Sequence, residues 1–111
     1  MNDAAIATGR RYHDALAQML SRLAAGGPDA PGIVRKVRHL CVNAFVAVED
    51  DYCRDQIELI ELYMADLFSA AAHQRRRRGS VSAVDMLKHK IGKCLGTFEA
   101  RLMSMASARR L

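Results

Sequence analysis

The chain has 111 residues, a length that fits one domain, and half of its residues are hydrophobic. Its net charge of +5 favours anionic partners such as nucleic acid or lipid head groups. Residues 1–6 lack the basic start and long apolar run of a signal peptide, and charges interrupt every apolar stretch well before 18 residues. We therefore expect one cytoplasmic domain over residues 1–111, with no membrane span.

The first predicted helix runs from about Ala4 to Ala25, with Asp3 as its N-cap and Gly26 just beyond its C-terminal end. Its inward-facing residues are three and four apart, which is typical of a helix that packs against neighbours. These residues are Ile6, Gly9, His13, Leu16, Leu20 and Leu23. We interpret His13 as a core histidine rather than a ligand.

The next segment is unusually long, since residues 33–72 contain neither Gly nor Pro. As one straight helix, residues 31–72 would be about 63 Å long, twice the size of a small domain. The apolar positions of its first half are Val34, Val37, Cys41, Ala44 and Val48. Those of its second half are Cys53, Ile57, Ile60, Met64, Leu67 and Ala71.

The step from Val48 to Cys53 turns the apolar face by about 140°, because five residues advance a helix by about 500°. Two structures accommodate this jump. In one, the chain turns at residues 49–51, and Asp50 or Asp51 caps a new helix. In the other, a continuous or kinked helix packs opposite faces against different neighbours, as in a dimer. We favour the turn, since it gives four helices of ordinary length.

The last predicted helix follows Ser82, an N-cap with Asp85 three residues later and with Val81 and Met86 as a hydrophobic staple. Its apolar positions are Val84, Leu87, Ile91, Leu95, Phe98, Leu102 and Met105. The fold we predict is all-α, a small antiparallel helical bundle. It has four helices, or three with a long bent second helix.

A stripe of small residues, Gly92, Gly96 and Ala100, lies on one face of the last helix. Each helical glycine costs roughly 1 kcal/mol relative to alanine, so the pattern suggests a packing reason. One interpretation is a dimer contact or a docking groove that a second backbone approaches closely. The other is packing within the chain against the alanine-rich first helix.

Charge is segregated along the chain, since seven of the 12 acidic residues lie between Glu49 and Asp66, with only Arg54 opposing them. The two basic clusters are Arg35, Lys36 and Arg38, and the tract Arg75, Arg76, Arg77 and Arg78. Both are candidate sites for phosphate or nucleic acid. Aromatic residues for base stacking are absent nearby, so such binding would be directed to the backbone. The alternatives are solvated basic segments, and an acidic third helix beside a basic fourth.

Ala72-His73, followed by Gly79-Ser80 and later by Phe98-Glu99, resembles the phosphorylated stretch of histidine phosphotransfer domains. Those domains are four-helix bundles of about this length, and a Lys-Gly-Ser-like stretch follows their phosphorylated histidine. In this sequence Gly79 comes two residues later than in that pattern, and four arginines fill the gap. The resemblance is confined to residues 72–99 and implies His73 as a phosphate carrier.

Catalytic and metal-binding patterns do not stand out. Cys41, Cys53 and Cys94 form no Cys-x-x-Cys pair, and we interpret them as reduced core thiols. No Glu-x-x-His pair or nucleophile elbow is present, so we expect no metal, no cofactor and no enzymatic activity.

The function predicted from the sequence is that of a non-enzymatic interaction or regulatory protein. It would form a homodimer and bind a partner, as yet undefined, through helix faces, because apolar surface on long helices is most simply used by association. The alternative is a basic protein that binds the DNA phosphate backbone, and the third hypothesis is a histidine phosphotransfer-like module. The first two differ in whether the two basic clusters must face the same side of the folded protein.

Overall fold

The structure is a computed structural model that describes residues 2–25, 30–76 and 81–109. Over these ranges the chain forms four helices and no strand: α1 (Asp3–Ala25), α2 (Ala30–Ala47), α3 (Asp51–Arg76) and α4 (Val81–Arg109). The predicted all-α bundle of four helices is therefore confirmed. The alternative of three helices with a long bent second one is wrong, since α2 ends at Ala47 and α3 begins at Asp51.

The helices form a closed ring in which each packs against the next along the chain and α1 also packs against α4. Because the connections are short, successive helices run antiparallel, which makes an up-down-up-down bundle of 54 × 23 × 19 Å. One end of the bundle holds the α2–α3 connection and the start of α1, and we call it the Asp50 end. The opposite end holds the start of α2, the end of α3 and the start of α4, and we call it the Arg76 end.

The core follows the apolar positions read from the sequence. The predicted inward residues of α2 are all buried, and so are those of α3 up to Leu67. On α4 the core moves slightly from the prediction, because Cys94 is buried while Leu95 and Met105 are only partly covered. The most deeply buried large side chains are Phe98, Leu16, Ile57, Ile60, Met64 and Leu102.

The turn between α2 and α3 is the feature that the jump of the apolar face predicted. Asp50 caps α3, because its Oδ2 accepts a hydrogen bond from the backbone N–H of Cys53 at 3.0 Å. The Asp50 carbonyl also accepts from the N–H of Arg54 at 2.9 Å. Capping by Asp50, one of the two predicted candidates, lets Val48, just after the end of α2, and Cys53, in the first turn of α3, both enter the core.

Two predicted helix starts are wrong by one or two residues. The N-cap of α1 is Asn2 rather than Asp3, since Asn2 Oδ1 accepts from the N–H of Ala5 at 2.7 Å. Asparagine caps as well as aspartate, and the shift leaves the Asp3 carboxylate in the first turn, where the helix dipole favours it. Ser82 lies within the first turn of α4 rather than at its cap, and Met86 is 53% exposed instead of buried in a staple. The predicted cap residue Gly26 lies outside the described residues.

Candidate interaction surfaces

The stripe of small residues on α4 faces solvent. Gly92, Gly96 and Ala100 are exposed, and a Cβ added at either glycine would meet no atom of the described chain within 4 Å. The interpretation that the glycines pack within the chain against α1 is therefore wrong, because α4 turns other residues toward α1. The interpretation as a dimer or docking contact stays a prediction.

A shallow groove of about 270 Å³ runs between α1 and α4 beside this stripe. Its walls are small or apolar, apart from Lys88 at the rim and Ser21. Gly92 is the only member of the stripe that lines it among the described residues. The complete lining is Ala17, Leu20, Ser21, Leu67, Lys88, Ile91, Gly92 and Leu95.

Gly9 on α1 is the glycine that is packed closely. A Cβ at this position would lie 2.9 Å from Leu102 Cδ2 and 3.6 Å from Val48 Cγ2. The absence of a side chain thus lets α1 approach α4 and the end of α2 at the Asp50 end. Sequence analysis included Gly9 among the inward-facing residues of the first helix because of its spacing, and it did not predict this close approach.

The first basic cluster lies on the first half of α2, and Arg35, Lys36 and Arg38 are all exposed. Arg38 lines a groove of about 470 Å³ between α2 and α3, opposite Glu58 and Glu61. Leu62 and Ala65 complete the lining of this α2–α3 groove. The cluster is therefore exposed, on the half of α2 that is nearer to its start.

The second basic cluster is described only in part. Arg75 and Arg76 are the last two residues of α3, at the end of the bundle where α2 begins. Arg77 and Arg78 lie outside the described residues, as do Gly79 and Ser80 of the phosphotransfer-like pattern. His73 is part of α3.

The acidic and basic helices are neighbours. α3 and α4 share the most extensive contact between two helices, as one of the sequence interpretations expected. The Lys90 ammonium lies 5.3 Å from the centre of the Tyr63 ring rather than beside a carboxylate. In the described ranges, no ion pair joins Lys88, Lys90 or Lys93 to an acidic residue of α3.

Asp50 links the α2–α3 connection to α4. Its carboxylate accepts hydrogen bonds from Arg101 Nη2 at 3.1 Å and from Arg101 Nε at 3.3 Å, and the guanidinium also lies over the Tyr52 ring. The hydrogen bond from Arg101 lowers the pKa of Asp50, and the bond from the Cys53 backbone adds to this effect against the opposing influence of burial. No local sequence pattern indicates this pair, since its two residues are 51 positions apart.

His13 joins α1 to α4. Its ring is 12% exposed, its Nε2 lies 3.3 Å from Glu99 Oε2, and it meets the Phe98 ring edge-on at 5.9 Å. Its Nδ1 lies 3.0 Å from Asp14 Oδ1. These contacts account for the histidine by packing and hydrogen bonding, in agreement with its interpretation as a core residue.

The three cysteines are free and buried, as predicted. Burial raises the pKa of Cys41 to about 12, with the Glu61 charge adding to the shift. Burial also raises the pKa of Cys53 to about 12, and here the hydrogen bond with Asp50 contributes. The Cys94 pKa is raised by burial as well. All three thiols therefore remain protonated near neutral pH, and protonated thiols are poor nucleophiles and poor metal ligands.

Three large apolar side chains are exposed on α2 and α3, and one of them, Leu62, lines the α2–α3 groove. Val42 and Val46 on α2 are 56% and 70% exposed, and Leu62 on α3 is 59% exposed. Val42 follows Arg38 by one helical turn, so it continues the side of α2 that borders the groove. Sequence analysis overlooked these residues, although the spacing of four between Val42 and Val46, off the core face, was a signal.

The described residues contain no group of three or more His, Cys, Asp and Glu side chains that could hold a metal ion. None of the four helices, over its described length, is long and apolar enough to cross a membrane. The chain matches no protein-family model, no curated protein and no solved structure.

Proposed function

We propose that the chain is a non-enzymatic interaction protein with a regulatory role, which associates with itself and with a partner through the outer faces of its helices. The observation that carries the proposal is the exposure of Val42 and Val46 on α2 and of Leu62 on the neighbouring α3, where Leu62 lines the α2–α3 groove. We call these three residues the apolar patch. Single exposed apolar residues are ordinary, whereas several on two adjacent helices supply apolar area for a contact surface.

The energetic reason is the hydrophobic effect. Fully burying a Val or Leu side chain contributes about 1.5–3 kcal/mol, so covering the apolar patch offsets part of the entropy lost on association. The residues around the patch are charged, as in an interface with an apolar centre and a polar rim.

The test compares the self-association of the natural chain with that of a triple variant, Val42→Thr, Val46→Thr and Leu62→Gln. We expect the variant to raise the dissociation constant at least about tenfold, because apolar burial is lost. A matched control changes Met86 and Met103 to Gln, since these residues are similarly exposed on α4. If the control variant weakens association as much as the triple variant does, the proposal is contradicted. It is also contradicted if the natural chain does not associate.

Nucleic-acid binding is the second candidate. It is favoured by the common location of the two basic clusters, since Arg35, Lys36 and Arg38 on α2 and the Arg75-Arg76 end of α3 lie toward the Arg76 end. Lys88 near the start of α4 adds to the same region. A shared basic end could neutralise several phosphates of one duplex. Retention on DNA as a function of salt concentration tests this candidate.

A further inference from the structure

We propose that the first partner of this chain is a second copy of itself, with α2 of each copy lying along α3 of the other in a two-fold symmetric pair. The proposal rests on the self-association proposed above and specifies its geometry. Its basis is that two adjacent helices carry opposite charges, and that no ion pair joins these charges among the described residues.

The two helices carry strongly different charges. α2 contains no Asp or Glu, and it presents the exposed cations Arg35, Lys36 and Arg38. Residues 51–70 of α3 contain Arg54 as their single cation. Their acidic residues are Asp51, Asp55, Glu58, Glu61 and Asp66.

These charges are not neutralised within the described chain. Its ion pairs join His13 to Asp14 and to Glu99, and Asp50 to Arg101, so none connects α2 with α3. Arg38 borders the same groove as Glu58 and Glu61 but pairs with neither. The Arg54 side chain is used elsewhere, because its Nε donates to the Phe45 carbonyl oxygen at 2.9 Å and its guanidinium lies over the Phe45 ring.

The acidic residues also lie on the outside of α3. Asp51, Asp55 and Glu58 are exposed, as are Leu62 and Asp66, and all five fall on the face opposite to the core residues of that helix. On α2, the exposed outer face carries Arg35, His39, Val42 and Val46. A cationic outer face on α2 and an anionic outer face on α3 therefore lie side by side, and each also carries exposed residues of the apolar patch.

Only one of the simple two-fold arrangements joins these faces favourably. A two-fold axis parallel to the bundle axis lays α2 of one copy along α3 of the other and preserves height along the bundle. Arg38 then meets Glu58 of the second copy, because both residues border one groove and lie at the same level. A two-fold axis perpendicular to the bundle axis would instead set α3 against α3, with carboxylates facing carboxylates, which repel.

The size of the face is sufficient for such a pair. The bundle is 54 Å long and 23 Å wide, whereas a standard interface covers roughly 800 Å² of each partner. Exposed ion pairs contribute only about 0.2–1 kcal/mol each. In this arrangement the apolar patch therefore supplies the affinity, and the charges select the orientation and make the association sensitive to salt.

The test is a charge-swap experiment with two variants of the full chain. The basic face is reversed by Arg35→Glu with Arg38→Glu, and the acidic face is reversed by Asp55→Lys with Glu58→Lys. Each variant alone places like charges across both halves of the interface, so we expect its dissociation constant to rise at least about tenfold. An equimolar mixture should form a heterodimer, because opposite charges then meet in both halves of the interface. One half joins the two reversed faces, and the other half joins the two unchanged faces. The control is Lys88→Glu with Lys93→Glu on α4, which should leave association unchanged.

Helical content and melting temperature of each variant, measured at a concentration where it is monomeric, separate a loss of folding from a loss of association. A natural chain that dimerises while both variants dimerise equally well would overturn this geometry and leave the proposed self-association intact. Failure of the mixture to form the heterodimer would also overturn the geometry. A natural chain that stays monomeric would contradict the proposed function itself. Dissociation by Gly96→Leu but by neither charge variant would assign the contact to α4 and overturn the present proposal.

Discussion

Two glycines show how little residue type alone says about packing. Gly9 is buried, and a Cβ there would approach Leu102 Cδ2 to 2.9 Å. Gly96 is exposed, and a Cβ there would meet nothing within 4 Å in the described chain. Both residues carry the same helix-propensity penalty, so the difference between them lies in the neighbours that the fold brings close.

Substitution of these glycines should change stability in opposite directions. Gly96→Ala should raise the free energy of unfolding by up to about 1 kcal/mol, because alanine restricts the unfolded chain and favours the helix. Gly9→Val should lower it by about 1–3 kcal/mol, because the added methyl groups would overpack the contact with Leu102. Urea unfolding at a single low protein concentration measures both changes.

Stabilisation by Gly9→Val, or a loss of stability in the monomeric Gly96→Ala variant, would contradict this packing. A larger substitution at Gly96 tests the predicted contact between α4 and a second chain. A bulkier residue at Gly96 should leave the monomer folded, so any effect of Gly96→Leu on association would report directly on a contact between chains.

At the scale of one element, the start of α3 depends on a single carboxylate. Asp50 caps the helix because its Oδ2 accepts a hydrogen bond from the Cys53 N–H, and both of its carboxylate oxygens accept hydrogen bonds from Arg101 of α4. Its side chain is 14% exposed. A local capping pattern predicted the first role, while the second required knowledge of which helices become neighbours.

Replacing Asp50 should therefore lower stability in a pH-dependent way. Asp50→Ala should lower the free energy of unfolding by about 1 kcal/mol or more at neutral pH, because the N-cap is lost along with the partner of Arg101. Asp50→Asn keeps a capping oxygen and removes the charge. The folded-state pKa of Asp50 lies below its ordinary value, so the charge stabilises the protein above the unfolded pKa of about 3.9.

That stabilisation should disappear as the pH falls through the folded pKa. Between pH 7 and strongly acidic pH, the natural chain should thus lose more stability than Asp50→Asn does. Asp51→Asn, at an exposed neighbouring position, is the control. Equal pH dependence of the natural chain and the Asp50→Asn variant would show that this carboxylate contributes nothing.

The helices and their inward faces could be predicted because they depend on local spacing. Val34 to Val48 and Cys53 to Leu67 each follow one apolar face, and the jump between them placed a turn at residues 49–51. The first residues of α1 and α4 could not be predicted as well. Asn2 and Asp3 are adjacent and can both cap a helix, and α4 already begins at Val81, one residue before Ser82. The apolar patch could not be assigned from the sequence, because exposure depends on where α3 lies relative to α2.

At the scale of the whole molecule, the bundle is electrically polar along its length. Arg35, Lys36 and Arg38 lie toward the Arg76 end, whereas Asp51 and Asp55 lie toward the Asp50 end. A charge pattern of this kind steers anionic partners to the basic end of the bundle.

The basic end makes a quantitative prediction for DNA binding. Each phosphate that is neutralised contributes about −0.9 to the slope of log affinity against log salt concentration. If five of the seven side chains of the two basic clusters contact phosphate, the slope should be roughly −4 to −5. Replacing Arg75, Arg76, Arg77 and Arg78 with Ala should flatten the slope and weaken binding to all sequences alike, because no base-reading element was found. Little retention at low salt, or an unchanged slope, would remove this candidate.

The central claim, that the chain acts by association through its helix faces, is tested most directly by sedimentation equilibrium of the natural chain. We expect the average mass to rise from 12.3 kDa toward twice that value as the protein concentration increases, and to do so less readily at high salt. A mass of 12.3 kDa at every concentration up to about 1 mM would contradict the claim, since a dimer weaker than that has less than about 4 kcal/mol of binding free energy.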